Sequence, residues 1–215
     1  MRLPLFASGR PLTNGDIRIR MDLCMITHVA YDFTGNGWPD LVVGDEDGRV
    51  ALVEPARWYT HCDRVGILVW QDMPNGDHHP EWQRQQYFDG IEWELSPESE
   101  DNYRKEWIEI MDYLYSYPSI VTWIPFNERW GQFKTEEITE WTQQHDPSRL
   151  VLPASGGNHF QTGDMLGIHN YPQPILYLYD AQRPTVLSEF GGIGLAMTDH
   201  LWEPKTNWGY VQFST

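Results

Sequence analysis

The stretch Ser119-Ile120-Val121-Thr122-Trp123-Ile124-Pro125-Phe126-Asn127-Glu128 is apolar for most of its length and then ends on an amide and a carboxylate. Such a continuous run suits a parallel strand covered on both faces, where an antiparallel strand with one wet face would alternate. Working outward, helical spacing appears on either side. Residues 97–116 place Trp107, Ile110, Met111 and Leu114 on one face, with Ser96 as N-cap ahead of Pro97, and residues 135–145 form a second helix. Further apolar runs at 67–70, 150–152, 165–168 and 185–187, together with a helical stretch at 56–65, extend the alternation over residues 54–215. That alternation is the grammar of βα units and predicts an α/β fold. Residues 75–95, rich in His, Gln, Asp and Trp, read as a long irregular loop.

Most of these runs close on polar residues: Gln71-Asp72, Asn127-Glu128, His169-Asn170-Tyr171 and Ser188-Glu189. In an eight-fold βα barrel the carboxyl ends of the strands share one face, and that face carries the site. Two of the strand-end residues are glutamates. A carboxylate pair can divide glycosidic cleavage, one protonating the leaving oxygen and the other attacking the anomeric carbon. The plain alternative is that both are solvated surface charges.

The segment from Ser119 to Phe133 resembles the acid/base segment of glycoside hydrolase family 2. Residues 54–74, with Gly66-Ile67-Leu68-Val69-Trp70-Gln71-Asp72, are similar to that family's third βα region, and His169-Asn170-Tyr171-Pro172 and Ser188-Glu189-Phe190-Gly191-Gly192 match later segments in the family's order. The resemblance implies Glu128 as general acid/base, Glu189 as nucleophile, Asn127 as partner of the sugar 2-hydroxyl, Tyr171 as support for the nucleophile and His169 in the pocket lining. His200 also matches the family's loop after the nucleophile strand, while position alone makes Asp72, closing its strand, a candidate to hold a sugar hydroxyl and Trp130 and Trp202, each just beyond a catalytic strand, candidates to stack on sugar. Core packing or loop anchoring stands as the other reading for Asp72, His169, Tyr171 and the tryptophans. Bond cleavage by this family requires no metal, so no catalytic cofactor is expected.

Residues 1–53 read differently, as a small β-meander of short strands at 17–23, 27–33, 40–44 and 49–53. Residues 18–53 resemble a single FG-GAP or VCBS repeat of the kind that builds β-propeller blades. Asp32, Thr34, Asn36 and Asp40, with Gly37 at the turn, offer alternating oxygen ligands for a structural calcium; an ordinary Asn-Gly hairpin turn is the other reading. The two resemblances divide the chain at 53/54. Set against the family, residues 54–215 lack regions for the first, second and eighth strands. The expectation is a partial (β/α)8 barrel of TIM type, fused or truncated, with residues 50–53 filling the second-strand place, or with open edges that favour homo-oligomers.

Composition narrows the partners. Fifteen basic against 31 acidic residues leave a net charge of −16, which disfavours phosphate backbones and anionic membranes. No run reaches the length of a spanning helix, and the amino terminus does not develop a signal h-region. The family resemblance nonetheless points to a bacterial periplasmic or secreted setting. The two cysteines, Cys24 and Cys62, suggest neither a disulfide framework nor a metal cluster. The expected function is retaining hydrolysis of a β-linked sugar, of β-galactoside or β-glucuronide type. The alternative is a noncatalytic fragment that at most binds carbohydrate.

Overall fold

A computed structural model describes residues 53–74, 91–196 and 209–213, and four short strands before them. The chain divides into two compact units, one of residues 1–50, 54–61 and 192–215, the other of residues 51–53 and 62–191. In the first unit, β1 (Phe6–Ala7) pairs antiparallel with β2 (Arg10–Pro11), and β3 (Ile17–Arg20) with β4 (His28–Tyr31). The expected first hairpin is therefore present, with shorter strands. The calcium-loop candidates Asp32, Thr34, Asn36 and Asp40 lie outside the described residues, as do residues 50–52 of the expected second-strand filler. The FG-GAP or VCBS reading rests on its sequence resemblance alone. Helix α1 (Ala56–Val65) begins in this unit.

The second unit carries the apolar runs as parallel strands. β5 (Val69–Asp72) pairs with β6 (Ile120–Ile124), and β6 pairs with β8 (Leu150–Val151). β7 (Phe126–Asn127) pairs with β9 (Ala154–Ser155), and β10 (Leu166–Asn170) with β11 (Thr185–Phe190). Pro125 and Pro153 interrupt the middle ladder side by side, since neither has an N–H to give it. Register survives the interruption: Thr122 faces Leu150 and Phe126 faces Ala154, the same offset. The Gly156 N–H donates to the Gly167 carbonyl at 3.2 Å, linking the end of β9 to β10. Parallel neighbours in chain order, the first of them joined by helices, make the mixed α/β pattern expected of a barrel segment. In the first unit, β12 (Ile193–Leu195) pairs in parallel with β13 (Val211–Phe213).

Two helices cover the outer face of β6. Helix α2 (Pro97–Leu114) starts as expected, with Ser96 Oγ accepting from the Ser99 N–H at 3.1 Å and Glu98 and Glu100 in the first turn. Its buried stripe is Tyr103, Trp107, Met111 and Leu114; Ile110 is only half-buried, and Tyr103 extends the face one turn earlier than the sequence pattern suggests. Trp107 packs edge-on against Trp123 at 5.7 Å, and its indole N–H donates to Thr142 on α3 (Thr135–His145). Tyr103, Phe126 and Phe133 form a second aromatic group, with the Tyr103 hydroxyl donating to the Pro125 carbonyl at 2.7 Å. Ile124, Leu152 and Met165 make a further cluster, against which Val186 packs. β11 departs from the expectation of full coverage, being half-buried through most of its length. No described helix is long and apolar enough to cross a membrane.

Asp146, just past α3, is fully buried and collects the Trp123 indole N–H at 2.8 Å, the Arg149 guanidinium at 2.6 Å and the Ser148 hydroxyl. Arg149 also donates to the carbonyls of Ile120, Tyr115 and Tyr117, tying the end of α2 to the start of β6. Burial alone would raise the Asp146 pKa, but these hydrogen bonds outweigh it and hold the carboxyl at about 2. A depressed folded-state value stabilises the fold above the unfolded pKa, near 3.8, and that contribution is lost as pH falls toward 2. Asp146→Asn is expected to cost about 2 kcal/mol at neutral pH and to flatten the acid limb of stability, as read by thermal melting between pH 6 and roughly pH 2.

Candidate active site

Because the strands run in parallel, their carboxyl ends lie along one edge, and the strand-end residues of the second unit meet there. β7 ends at Asn127, and Glu128 follows with a left-handed backbone, φ 47°, as does Arg129 at φ 64°. Two consecutive non-glycine residues in this region are strained, and such strain persists only where the surroundings over-determine it. Here the Glu128 N–H donates to the Ser155 carbonyl at 2.8 Å, and the Trp130 N–H to the Asn127 carbonyl at 3.0 Å. The turn lifts the Glu128 side chain to the strand ends.

β10 and β11 slip register between Ile168 and His169: Ile168 faces Leu187, whereas His169 faces Glu189. Ser188 is thus the extra residue of a bulge. A bulge of this kind re-aims side chains, and both Ser188 and Glu189 reach groups around His169. His169 Nδ1 lies 2.9 Å from Glu128 Oε1 and 3.3 Å from Glu189 Oε2, while Nε2 lies 2.8 Å from Ser155 Oγ. Tyr171 donates its phenolic proton to Glu189 Oε2. One oxygen of Glu128, one of Glu189 and a ring nitrogen of His169 all lie within 4.8 Å of one another. The imidazole is 6% exposed, against 20% and 27% for the Glu128 and Glu189 side chains, so a buried ring bridges two carboxylates that open toward solvent.

Burial raises the Glu189 pKa, and the Glu128 charge adds to the rise, while His169 and the Tyr171 hydrogen bond oppose it. Asp72, the last residue of β5, is pushed up to about 8 by burial and by the nearby Glu189 charge. At neutral pH it is largely the neutral acid, a form that can donate a hydrogen bond. Asp72 Oδ1 and Asn127 Oδ1 are buried with no hydrogen-bond partner.

Residues 54–190, well over half of the chain, match the family model described as the TIM barrel domain of the glycosyl hydrolases family 2. The chain belongs to glycoside hydrolase family 2. It is 24% identical over 159 residues to the beta-mannosidase B of Neosartorya fischeri, covering 74% of this chain and 14% of that protein. It is 22% identical over 181 residues to the beta-galactosidase of Psychromonas ingrahamii, covering 72% of this chain and 17% of that protein. The family 2 domain described here therefore spans about one sixth or less of the length of these relatives. A solved structure, Bacteroides uniformis beta-glucuronidase 2 covalently bound to cyclophellitol-6-carboxylate aziridine, aligns with a TM-score of 0.47 and 19% identity over 66% of this chain and 20% of its own.

Among the residues singled out by sequence, Glu128, Glu189, His169 and Tyr171 are joined by direct contacts. Asp72 and Asn127 stand at neighbouring strand ends. Trp130 is half-buried in the turn after Glu128, and His200 and Trp202 lie outside the described residues. Sequence reading passed over Ser155 and Gly156. The signal was there: Ala154-Ser155-Gly156-Gly157 closes the apolar run at 150–152 with a polar strand end like the others. Gly156 has φ 64°, and a Cβ on it would fall 2.2 Å from Cγ of His169. Only glycine lets the backbone pass so close to the ring. Gly156→Ala is expected to destabilise the fold by about 1–3 kcal/mol, measured by urea denaturation with an unchanged m-value.

Proposed function

We propose that this domain carries the catalytic pair of a retaining β-glycosidase. The observation that carries the reading is the approach of the Glu128 and Glu189 carboxylates, with oxygens within 4.8 Å. So close an approach favours a nucleophile and an acid/base acting on one anomeric carbon, whose carboxyl groups stand about 5–5.5 Å apart, over an inverting pair separated by roughly 6.5–9.5 Å to admit a water. Glu128 in its protonated form gives its proton to the glycosidic oxygen as Glu189 attacks the anomeric carbon. The bond to the leaving group breaks and a glycosyl ester of Glu189 forms. Glu128, now a carboxylate, takes a proton from water, whose oxygen displaces Glu189 and restores both groups.

The remaining polar groups have roles in the same scheme. Tyr171 holds the nucleophile through its phenolic proton. Asn127 Oδ1, buried and unpartnered, is suited to accept from a sugar hydroxyl, and Asp72 in its neutral form to donate to one. Trp130, His200 and Trp202 are proposed to flank the sugar. The relatives support the choice of substrate class: beta-mannosidase B and beta-galactosidase are the names of the curated proteins the chain resembles. β-Mannosides and β-galactosides are therefore the first sugars to try, followed by β-glucuronides.

Hydrolysis of a panel of aryl β-glycosides tests this reading. Cleavage is expected for one of these sugars, with Glu189→Gln abolishing it and Glu128→Gln lowering kcat about 10²–10⁴-fold on poor leaving groups. Absence of cleavage by the well-folded chain, or activity surviving both substitutions, would sink it. A further outcome concerns pH. The nucleophile must be ionised, and burial raises its pKa, so the acid limb of kcat/KM is expected above the ordinary carboxylate range. Tyr171→Phe removes a hydrogen bond that favours the ionised form and is expected to move that limb to still higher pH, measured from kcat/KM profiles of the two proteins.

A further inference from the structure

Behind His169, on the side away from both glutamates, runs a short chain of hydroxyls. Its last member is the Ile168 carbonyl, which can only accept, so the Ser188 hydroxyl at 3.3 Å donates to it. Ser188 then has no proton for Ser155, and the 2.9 Å contact between the two hydroxyls is a donation from Ser155 to Ser188. Ser155 in turn has none left for the ring. Its oxygen accepts from Nε2–H of His169 at 2.8 Å. The Gly156 backbone lies against the ring and limits its room to tilt out of this contact.

We propose that Ser155 is a positioning residue for the acid/base step: it fixes one proton on Nε2 of His169 and so reserves Nδ1 for proton exchange with Glu128. The catalytic consequence rests on the glycosidase reading above; the assignment of the tautomer does not. The exchange is a transfer over 2.9 Å. The Nδ1–H bond of the doubly protonated ring breaks, an O–H bond forms on Glu128 Oε1, and a neutral imidazole with its proton on Nε2 remains. Glu128 then holds the proton that passes to the glycosidic oxygen. When Glu128 later takes a proton from water, the same contact can return it to Nδ1. Among the described residues, the titratable groups that face the ring are Glu128, Glu189, Tyr171, whose ring lies at 6.4 Å, and, through its electrostatic effect, His159. Neither Glu128 nor Glu189 contacts Nε2, so the serine chain holds the proton on that nitrogen while the two carboxylates compete for the one on Nδ1.

Histidine-labelled protein examined by nitrogen NMR across the neutral pH range tests the proposal, with His169 assigned from the spectrum of His169→Gln. The expected result is that, in the neutral ring, Nε2 carries the directly bonded proton and Nδ1 carries none. Ser155→Ala, and independently Ser188→Ala, is expected to move the neutral ring toward the Nδ1–H form, with Ser155→Thr keeping the wild-type pattern. An unprotonated Nε2 in the neutral ring of the wild type, or an unchanged tautomer in both alanine variants, overturns it. These spectra need no turnover, so they decide the tautomer even if no glycoside is cleaved, which would instead refute the glycosidase reading. With a cleaved sugar in hand, Ser155→Ala is expected to lower kcat about tenfold for an alkyl glycoside that needs protonation. KM and the rate on a dinitrophenyl glycoside should hardly change. An equal loss on both substrates would show a merely structural role and overturn the link to Glu128.

Discussion

The site hangs on the parallel pairing of successive strands. Parallel ladders put every carboxyl end on one edge, so residues far apart in sequence, Asp72, Glu128, Ser155, His169 and Glu189, arrive at a common level without any contact being arranged separately. The pairing must hold register across Pro125 and Pro153, where the ladder loses hydrogen-bond donors. It does so because the two prolines sit opposite one another, and the strands resume with the same offset beyond them. A slip of one residue would turn Asn127 and Ser155 to the other face and dismantle the site.

Within that frame, two local departures from regular strand geometry do the aiming. Without the bulge at Ser188, alternation would send Ser188 and Glu189 to opposite faces; with it, Ser188 reaches Ser155 while Glu189 reaches His169. Without the left-handed turn at Glu128, its side chain would follow the strand pleat instead of closing on Nδ1. The electrostatic result is asymmetric. A buried imidazole stands between two more open carboxylates, while the Tyr171 phenol donates to Glu189. Two identical side chains thereby acquire different surroundings, the arrangement through which one fold can assign different proton tasks to like groups.

Much of this frame was legible in the sequence. The apolar runs from 67 to 187 became strands, the Ser96-Pro97 start of α2 was readable from capping chemistry, and repeated polar strand ends marked the edge where the site lies. What escaped the pattern was whatever depends on backbone irregularity. A bulge leaves no signature in Val186-Leu187-Ser188-Glu189, and nothing in Asn127-Glu128-Arg129 announces two left-handed residues, since neither Glu nor Arg favours that conformation. Ser155 went unnoticed because a serine at a strand end is ordinary; its significance comes from a histidine fourteen residues later, brought close by a neighbouring strand. The half-exposure of β11 was likewise invisible, because coverage of a strand is a property of its neighbours and not of its own residues.

The strain at Glu128 and Arg129 and the unpartnered oxygens of Asp72 and Asn127 all oppose folding, the oxygens at about 1–3 kcal/mol each. A small domain keeps such groups only if stabilisation elsewhere exceeds them. That stabilisation lies on the side of the sheet away from the site, where Trp107 and Trp123 are fully buried edge to face and Asp146 and Arg149 bind the ends of α2, β6 and α3 into one knot. The division is physically sensible. Groups meant to meet a ligand cannot be satisfied by the protein itself, so the fold concentrates its packing behind the strands and leaves its unmet hydrogen bonds at their ends, where the proposed sugar site lies.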